Sequence, residues 1–168
     1  MALPLPALLL SGFVLAHAVW NVSDLPKGEL FCPLAIVEQA GVRKLERFEA
    51  SSQAEAIAHG KEAMSLATKT ADAWAFARDG MIRLKDGTKI DVISVDFWAK
   101  GMDRPASLIQ RYEPFVGKSG FKLIGDPEIV LDGNVLTPEL AKDIIQVLNQ
   151  GVASHSKVSS QWAGWHKE

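Results

Sequence analysis

The polar side chains best placed to do chemistry in this sequence fall within residues 71–99. Asp79, Ser94 and Asp96 lie in this stretch, with Arg83 close by. Two carboxylates within reach of each other could act as an acid–base pair or hold a divalent cation through their oxygens. Their use therefore depends on the secondary structure that carries them.

The stretch that carries these residues predicts a long β-hairpin. Its two halves are rich in aromatic and β-branched residues, which suit a half-buried pleated surface. Gly87 can adopt the positive φ that a two-residue loop needs, so we place the loop at Asp86-Gly87, and Lys85 then faces Thr88. A glycine inside a strand often marks a bulge, and we expect one near Gly80.

This register predicts two different faces for the hairpin, because side chains alternate along a strand. One face is an apolar core face, formed by Trp74, Phe76, Ile82, Leu84, Ile93, Val95 and Phe97. The other is a mixed face of small, aromatic and polar residues, formed by Ala75, Ala77, Asp79, Met81, Arg83, Ile90, Val92, Ser94, Asp96 and Trp98. We place the candidate binding site on the mixed face, and the alternative explanation is the solvated side of an ordinary sheet. A change of one residue in the register would exchange the faces.

Composition limits the classes of protein to consider. A chain of 168 residues with 48% hydrophobic and 23% charged residues is typical of one globular domain, here residues 1–153. The net charge of −2 provides no general attraction for nucleic acid or an anionic membrane. The single cysteine, Cys32, forms no internal disulfide, and we expect it to be a buried structural thiol rather than a nucleophile.

The N-terminal region leaves two interpretations open. Residues 3–16 are apolar, and Ala16-His17-Ala18 has the small-x-small form of a signal-peptidase site, with cleavage after Ala18 in an exported protein. No lysine or arginine precedes the apolar run, however, whereas a secretory signal normally begins with positive charge. The run is also shorter than the roughly 20 residues that span a bilayer. We therefore favour a buried helix within residues 1–23 of a cytoplasmic protein, with no membrane span.

The remaining chain predicts an α+β fold. We expect a strand from about Leu34, a tight turn at Ala40-Gly41 and a charged edge strand over residues 42–50. Ser52 and Thr137 have the form of helix N-caps. Further strands are expected over residues 106–113 and 121–131. Gly151 is a natural stop for the helix that Thr137 begins. The fold class is a single domain with an antiparallel sheet of five to six strands and helices mainly on one face.

Motifs for cofactors, metals and nucleophiles are missing from the sequence. The four histidines show no metal-ligand spacing, and His17 is expected to be a core residue. Gly117-Lys118-Ser119 lacks the upstream glycine of a phosphate-binding loop. We therefore predict no cofactor and no metal, and we lean against an enzyme.

The C-terminal residues 154–168 are polar and are expected to form a loose tail, but they carry Trp162 and Trp165. These tryptophans either dock on a partner protein or a second copy of the chain, or fold back on the domain. We favour a non-catalytic binding or accessory protein that acts through the mixed face, the tail or both. The alternatives are a small enzyme or cation-binding protein that uses Asp79 and Asp96, and an exported protein.

Overall fold

The computed structural model describes residues 3–115 and 120–166, over which the chain forms one α+β domain. Gly117-Lys118-Ser119 lies outside the described residues. The predicted fold class is confirmed, with seven strands in one antiparallel sheet of order β2-β1-β3-β4-β5-β6-β7. The elements are α1 (Leu5–Val22), β1 (Leu34–Gln39), β2 (Val42–Arg47), α2 (Gln53–Ala67), β3 (Ala73–Arg83), β4 (Lys89–Ala99), β5 (Ala106–Glu113), β6 (Lys122–Leu131), β7 (Asn134–Val135), α3 (Pro138–Ala153) and α4 (Trp162–Trp165).

Local sequence signals set many of these boundaries. The Ser52 hydroxyl accepts the Glu55 amide at the start of α2, and the Thr137 hydroxyl accepts the Leu140 amide at the start of α3. The additional strand β7 follows a turn at Asp132-Gly133, where both residues have positive φ, as a type I′ hairpin requires. Helix α1 occupies the N-terminal apolar region.

Helix α1 is the apolar centre of the domain. Leu10, Val14 and Leu15 are completely or almost completely buried. By length and composition α1 could cross a membrane, and 61% of its residues are buried inside the protein. Its burial is consistent with the predicted core helix, and export stays an untested alternative.

The register of the central hairpin differs from the predicted one by one residue. The loop has three residues, Lys85-Asp86-Gly87, because Gly87 takes a positive φ of 88° and its amide donates to the Leu84 carbonyl at 2.9 Å. The pairs are therefore Phe76 with Asp96 and Asp79 with Ile93. The predicted division of the two faces was therefore wrong. Phe76, predicted on the core face, shares its face with Asp96, and Asp79, predicted on the mixed face, shares its face with Ile93.

The bulge predicted near Gly80 was also wrong, because Gly80 pairs with Val92 in an uninterrupted ladder. The irregularity lies instead between β5 and β6, where residues 125–127 of β6 lie opposite the single residue Gln110 of β5. Pro127 has no amide hydrogen to donate, and Gly125 takes a positive φ of 67°. The buried side chain of Gln110 faces this bulge. Its Nε2 donates hydrogen bonds to the carbonyls of Ile124 and Gly125.

The two long helices α1 and α3 cover one face of the sheet. Ala75, Ala77 and their neighbours on β4 are fully buried there, and α1 approaches β3 and β4 closely. Helix α3 packs against α1 through glycines: a Cβ built on Gly151 would lie 2.2 Å from the Leu9 carbonyl oxygen. Gly151 therefore permits a close helix contact, and α3 continues past it to Ala153 instead of ending there.

Helix α2 lies on the opposite face of the sheet. A Cβ built on Gly60 would lie 2.3 Å from the Phe76 ring, so α2 rests directly on that ring. Most other residues on this face, such as Arg78, Ser94 and Ile109, are only half-buried. We call the first surface the α1 face and the second the α2 face.

Candidate ligand-binding cleft

The one-residue change of register separates the two aspartates of the predicted site. Asp79 shares the α1 face with Ile93, whereas Asp96 lies on the α2 face opposite Phe76. The carboxylates are on opposite sides of the sheet and do not meet. Over residues 3–115 and 120–166, no group of three or more histidine, cysteine, aspartate or glutamate side chains is placed to hold a metal ion.

Asp79 is buried beneath the segment before β1, with 3% of its surface exposed. Its Oδ1 accepts the Tyr112 hydroxyl at 2.6 Å and the Gly80 amide at 3.1 Å, while Oδ2 has no hydrogen-bond partner among the described atoms. Burial raises the pKa of Asp79 to about 6, although the Tyr112 hydroxyl and the amides of Phe31 and Gly80 oppose that rise. Burial and the neighbouring Asp79 also raise the pKa of Tyr112, so the phenol remains a donor.

The other predicted site residues are dispersed. Arg83 is exposed at the end of the hairpin opposite Lys89, and Ser94 is half-buried opposite Arg78 on the α2 face. Trp98 is 7% exposed, and its Nε1 donates to the Met102 carbonyl at 3.0 Å. This bond ties the end of β4 to the following loop and gives Trp98 a structural role.

The tail tryptophans fold back on the domain, which is the second of the two predicted outcomes. The Trp165 ring meets the Phe121 ring edge-on with centroids 5.6 Å apart, and Trp162 packs against Trp165. Val158 is completely buried between them and α1, so the described part of the tail is not loose. Cys32 is half-buried, with its Sγ 3.4 Å from the Phe48 carbonyl.

Among the predicted site residues, Asp96 borders an open cleft. Its Oδ2 accepts from Arg78 at 2.8 Å, and its Oδ1 accepts the Ser107 hydroxyl at 2.8 Å. Both partners lie on the α2 face, so the carboxylate is held in one orientation by two neighbouring strands. The Arg78 guanidinium also lies 5.7 Å above the Phe76 ring.

The cleft lies between α2 and the sheet and has a volume of about 320 Å³. Trp74 and Phe76 belong to the sheet side, Met64 and Thr68 to the helix side, and Asp96 adds a carboxylate. We call it the α2 cleft. Its lining residues are Lys61, Met64, Ser65, Thr68, Trp74, Phe76, Asp96 and Pro105.

A chain of hydrogen bonds holds the helix side of the α2 cleft in place. The Trp74 indole donates to the Thr68 hydroxyl at 2.8 Å, and that hydroxyl donates to the Met64 carbonyl at 2.9 Å. The last turn of α2 is therefore fixed to β3 rather than free to close over the sheet. A preformed apolar cleft with a few oriented polar groups is typical of small-molecule binding sites.

Sequence reasoning identified Asp96 but missed the helix side of this cleft. Met64 is buried on α2, and a Cβ built on Gly60 of the same helix would meet the Phe76 ring. No local pattern in the sequence could show which sheet residues lie opposite this helix. Comparisons with protein-family models, with curated proteins and with solved structures found no significant match, so the geometry of the cleft carries the case for a function.

Proposed function

We propose that this is a non-catalytic binding protein that takes a small, largely apolar molecule into the α2 cleft. The observation that carries the proposal is the pairing of an aromatic floor, Trp74 and Phe76, with one oriented carboxylate, Asp96. Pockets of this kind use apolar contact for affinity and a few placed polar groups for orientation. The sequence had placed Trp74 and Phe76 on the core face and Asp96 on the mixed face, so this combination differs from the predicted surface.

The chemistry of Asp96 indicates which polar group the ligand carries. Arg78 and Ser107 each donate one bond to this carboxylate, and an ionised carboxylate has about four lone-pair positions. The remaining positions accept a hydrogen-bond donor, such as a hydroxyl or an amine. We therefore expect a ligand with an aromatic or branched apolar body and one donor group.

The tail contributes to the core instead of to this site. Trp162 and Trp165 contact buried clusters around Phe121 and Val158. Their burial against the domain supports a binding surface on the sheet rather than on the tail. The α2 cleft is at the low end of ligand pocket volumes, about 300–1,000 Å³, and suits a small molecule better than a peptide.

Ligand-observed NMR with a set of small aromatic amines, alcohols and carboxylates tests this proposal. We expect binding at the α2 cleft, measured as the part of the binding that is lost in Ser65→Phe, to be at least ten-fold stronger for amines and alcohols than for carboxylates. Ser65→Phe should abolish binding, because the new ring occupies the cleft that Ser65 lines. Glu62→Phe is the matched control, since it adds the same ring at an exposed position of α2 outside the cleft lining.

Thermal unfolding of both variants establishes that each is folded. Equal loss of binding in Ser65→Phe and Glu62→Phe would show that an added ring anywhere on α2 weakens binding, and that filling the cleft is not the cause. Binding that survives Ser65→Phe would place the ligand elsewhere and contradict the proposal.

A further inference from the structure

A second cleft lies on the α1 face and is independent of the α2 cleft. It has a volume of about 420 Å³ and lies between the last turns of α1, the residues after α3 and the β1–β2 hairpin. We call it the histidine cleft. The lining residues that matter are Phe13, His17, Trp20, Leu45, His155 and Lys157.

Two histidines from opposite ends of the chain meet in this cleft. His17 Nδ1 lies 3.1 Å from His155 Nε2, so one ring donates to the other. In a neutral imidazole one nitrogen donates and the other accepts. In either tautomer the outer nitrogens, His17 Nε2 and His155 Nδ1, therefore consist of one donor and one acceptor. Both are buried, and neither has a hydrogen-bond partner among the described protein atoms.

Aromatic and aliphatic groups surround the histidine pair. The Phe13 ring centroid is 4.9 Å from that of His155, and the Trp20 centroid is 5.8 Å from that of His17. Leu45 on β2 adds an apolar wall, although 44% of its surface is exposed. These surfaces favour a ligand with a flat apolar body.

Positive charge lies around the same cleft. The Lys157 ammonium is 4.7 Å from the Trp20 ring centroid, and the Arg43 guanidinium is 5.0 Å from that of Phe13. Glu38 on β1 carries a negative charge on this side and accepts a hydrogen bond from Arg43 at 2.9 Å. Within residues 3–115 and 120–166, neither Arg47 nor Lys157 has a carboxylate within ion-pair distance.

The same charges act on the histidines. Burial lowers the pKa of His17 most, and His155, Arg47 and Lys157 lower it further. Burial also lowers the pKa of His155, with Lys157 adding to the effect and its own backbone carbonyl opposing it. The pKa values of both histidines lie below their ordinary value of 6.5, so the pair is neutral at pH 7, and the positive charges of Arg47 and Lys157 act on it.

We propose that the histidine cleft binds a small organic anion with an aromatic body, such as an aromatic carboxylate, together with one proton. The apolar body lies against Phe13, Trp20 and Leu45, and the anionic group faces Lys157, the cation that lines the cleft. The bound anion compensates the positive potential, and the acceptor nitrogen of the histidine pair then takes a proton from solvent. No bond in the ligand is broken. This site adds to the proposed function and does not depend on it.

Calorimetry with 1-naphthoate and its neutral counterpart 1-naphthamide tests this inference. We expect 1-naphthoate to bind at least ten-fold more tightly than 1-naphthamide. Its affinity should rise several-fold between pH 8 and pH 6, because binding takes up a proton. The binding heat should also change between two buffers of different ionisation enthalpy.

Variants assign the effect to the cleft. Lys157→Gln should weaken 1-naphthoate binding several-fold, whereas Lys85→Gln, at the exposed tip of the β3–β4 hairpin, should not. His17→Gln should remove the pH dependence. Ser65→Phe should leave 1-naphthoate binding unchanged, which separates this site from the α2 cleft.

Three results would each overturn the inference. Equal binding of the acid and the amide would show that charge plays no part. An affinity independent of pH would exclude proton uptake, and an unchanged affinity in Lys157→Gln would exclude the proposed cation. Lys157 is an exposed residue outside the helices, so its replacement does not endanger the fold.

Discussion

The two faces of strand β3 differ in the size of their side chains, and this difference explains where the protein has room for ligands. On the α1 face the strand carries Ala73, Ala75 and Ala77, and all three are fully buried. On the α2 face the same strand carries Trp74 and Phe76. A helix that packs on alanines can approach the strand backbone closely, whereas large rings hold part of the helix farther from the strand.

The glycines of the helices show the same contrast. A Cβ on Gly151 would meet the backbone of Leu9, and one on Gly12 would meet the backbone of Leu148. A Cβ on Gly60 would instead meet the side chain of Phe76. A backbone held in a helix cannot yield without moving the helix, but a ring beside a cleft can turn into the open space. The α1 face is therefore rigid and the α2 face adaptable.

The largest effect is expected from Gly151→Ala on the rigid face. The added methyl requires α1 and α3 to separate, and the lost packing outweighs the gain in helix propensity, for a net cost of about 3 kcal/mol. Urea unfolding measures this, with the exposed neighbour Gln150→Ala as the control. Equal stabilities in the two variants would show that the α1–α3 contact is not tightly packed.

A second, pH-dependent effect distinguishes the carboxylate buried on the α1 face. The folded-state pKa of Asp79 is about 6, above its ordinary value of 3.8, so the folded state favours the protonated form. Stability from this group is complete below pH 4, declines between pH 4 and pH 6 and stays low above that range. Allowing for solvent screening, the loss is about 2 kcal/mol.

Asp79→Asn tests this effect, because the amide keeps an acceptor for Tyr112 without the charge. The variant should be more stable than the native protein at pH 7.5 and no more stable at pH 4. Asp103→Asn, at an exposed position, is the control for a general change in net charge. A native protein whose stability does not fall between pH 4 and pH 6 would contradict the raised pKa.

The smallest effect is expected from Gly60→Ala on the adaptable face. The Phe76 ring can turn toward the α2 cleft, and the better helix propensity of alanine offsets part of the strain, so the net cost is about 1 kcal/mol. The displaced ring should nevertheless weaken ligand binding in that cleft. His59→Ala, exposed on the same helix, is the matched control. A loss as large as that in Gly151→Ala would remove the distinction between the faces.

Local signals accounted for much of the fold because they act within a few residues. Thr137 and Ser52 cap their helices through amides three positions away, and Ala40-Gly41 forms its turn through two positive φ angles. The hairpin loop shows the limit of such reasoning. Asp86-Gly87 suits both a two-residue and a three-residue loop, and the choice between them reversed which residues share a face with Phe76.

The amino-acid sequence by itself determined the fold class, the central hairpin, the edge position of β2 and the starts of α2 and α3. Only the tertiary structure decided the register of the hairpin, the separation of Asp79 from Asp96 and the meeting of His17 with His155. Propensity, capping and turn formation depend on neighbours in the chain. The two clefts instead depend on side chains brought together from distant positions, and packing in three dimensions alone selects those contacts.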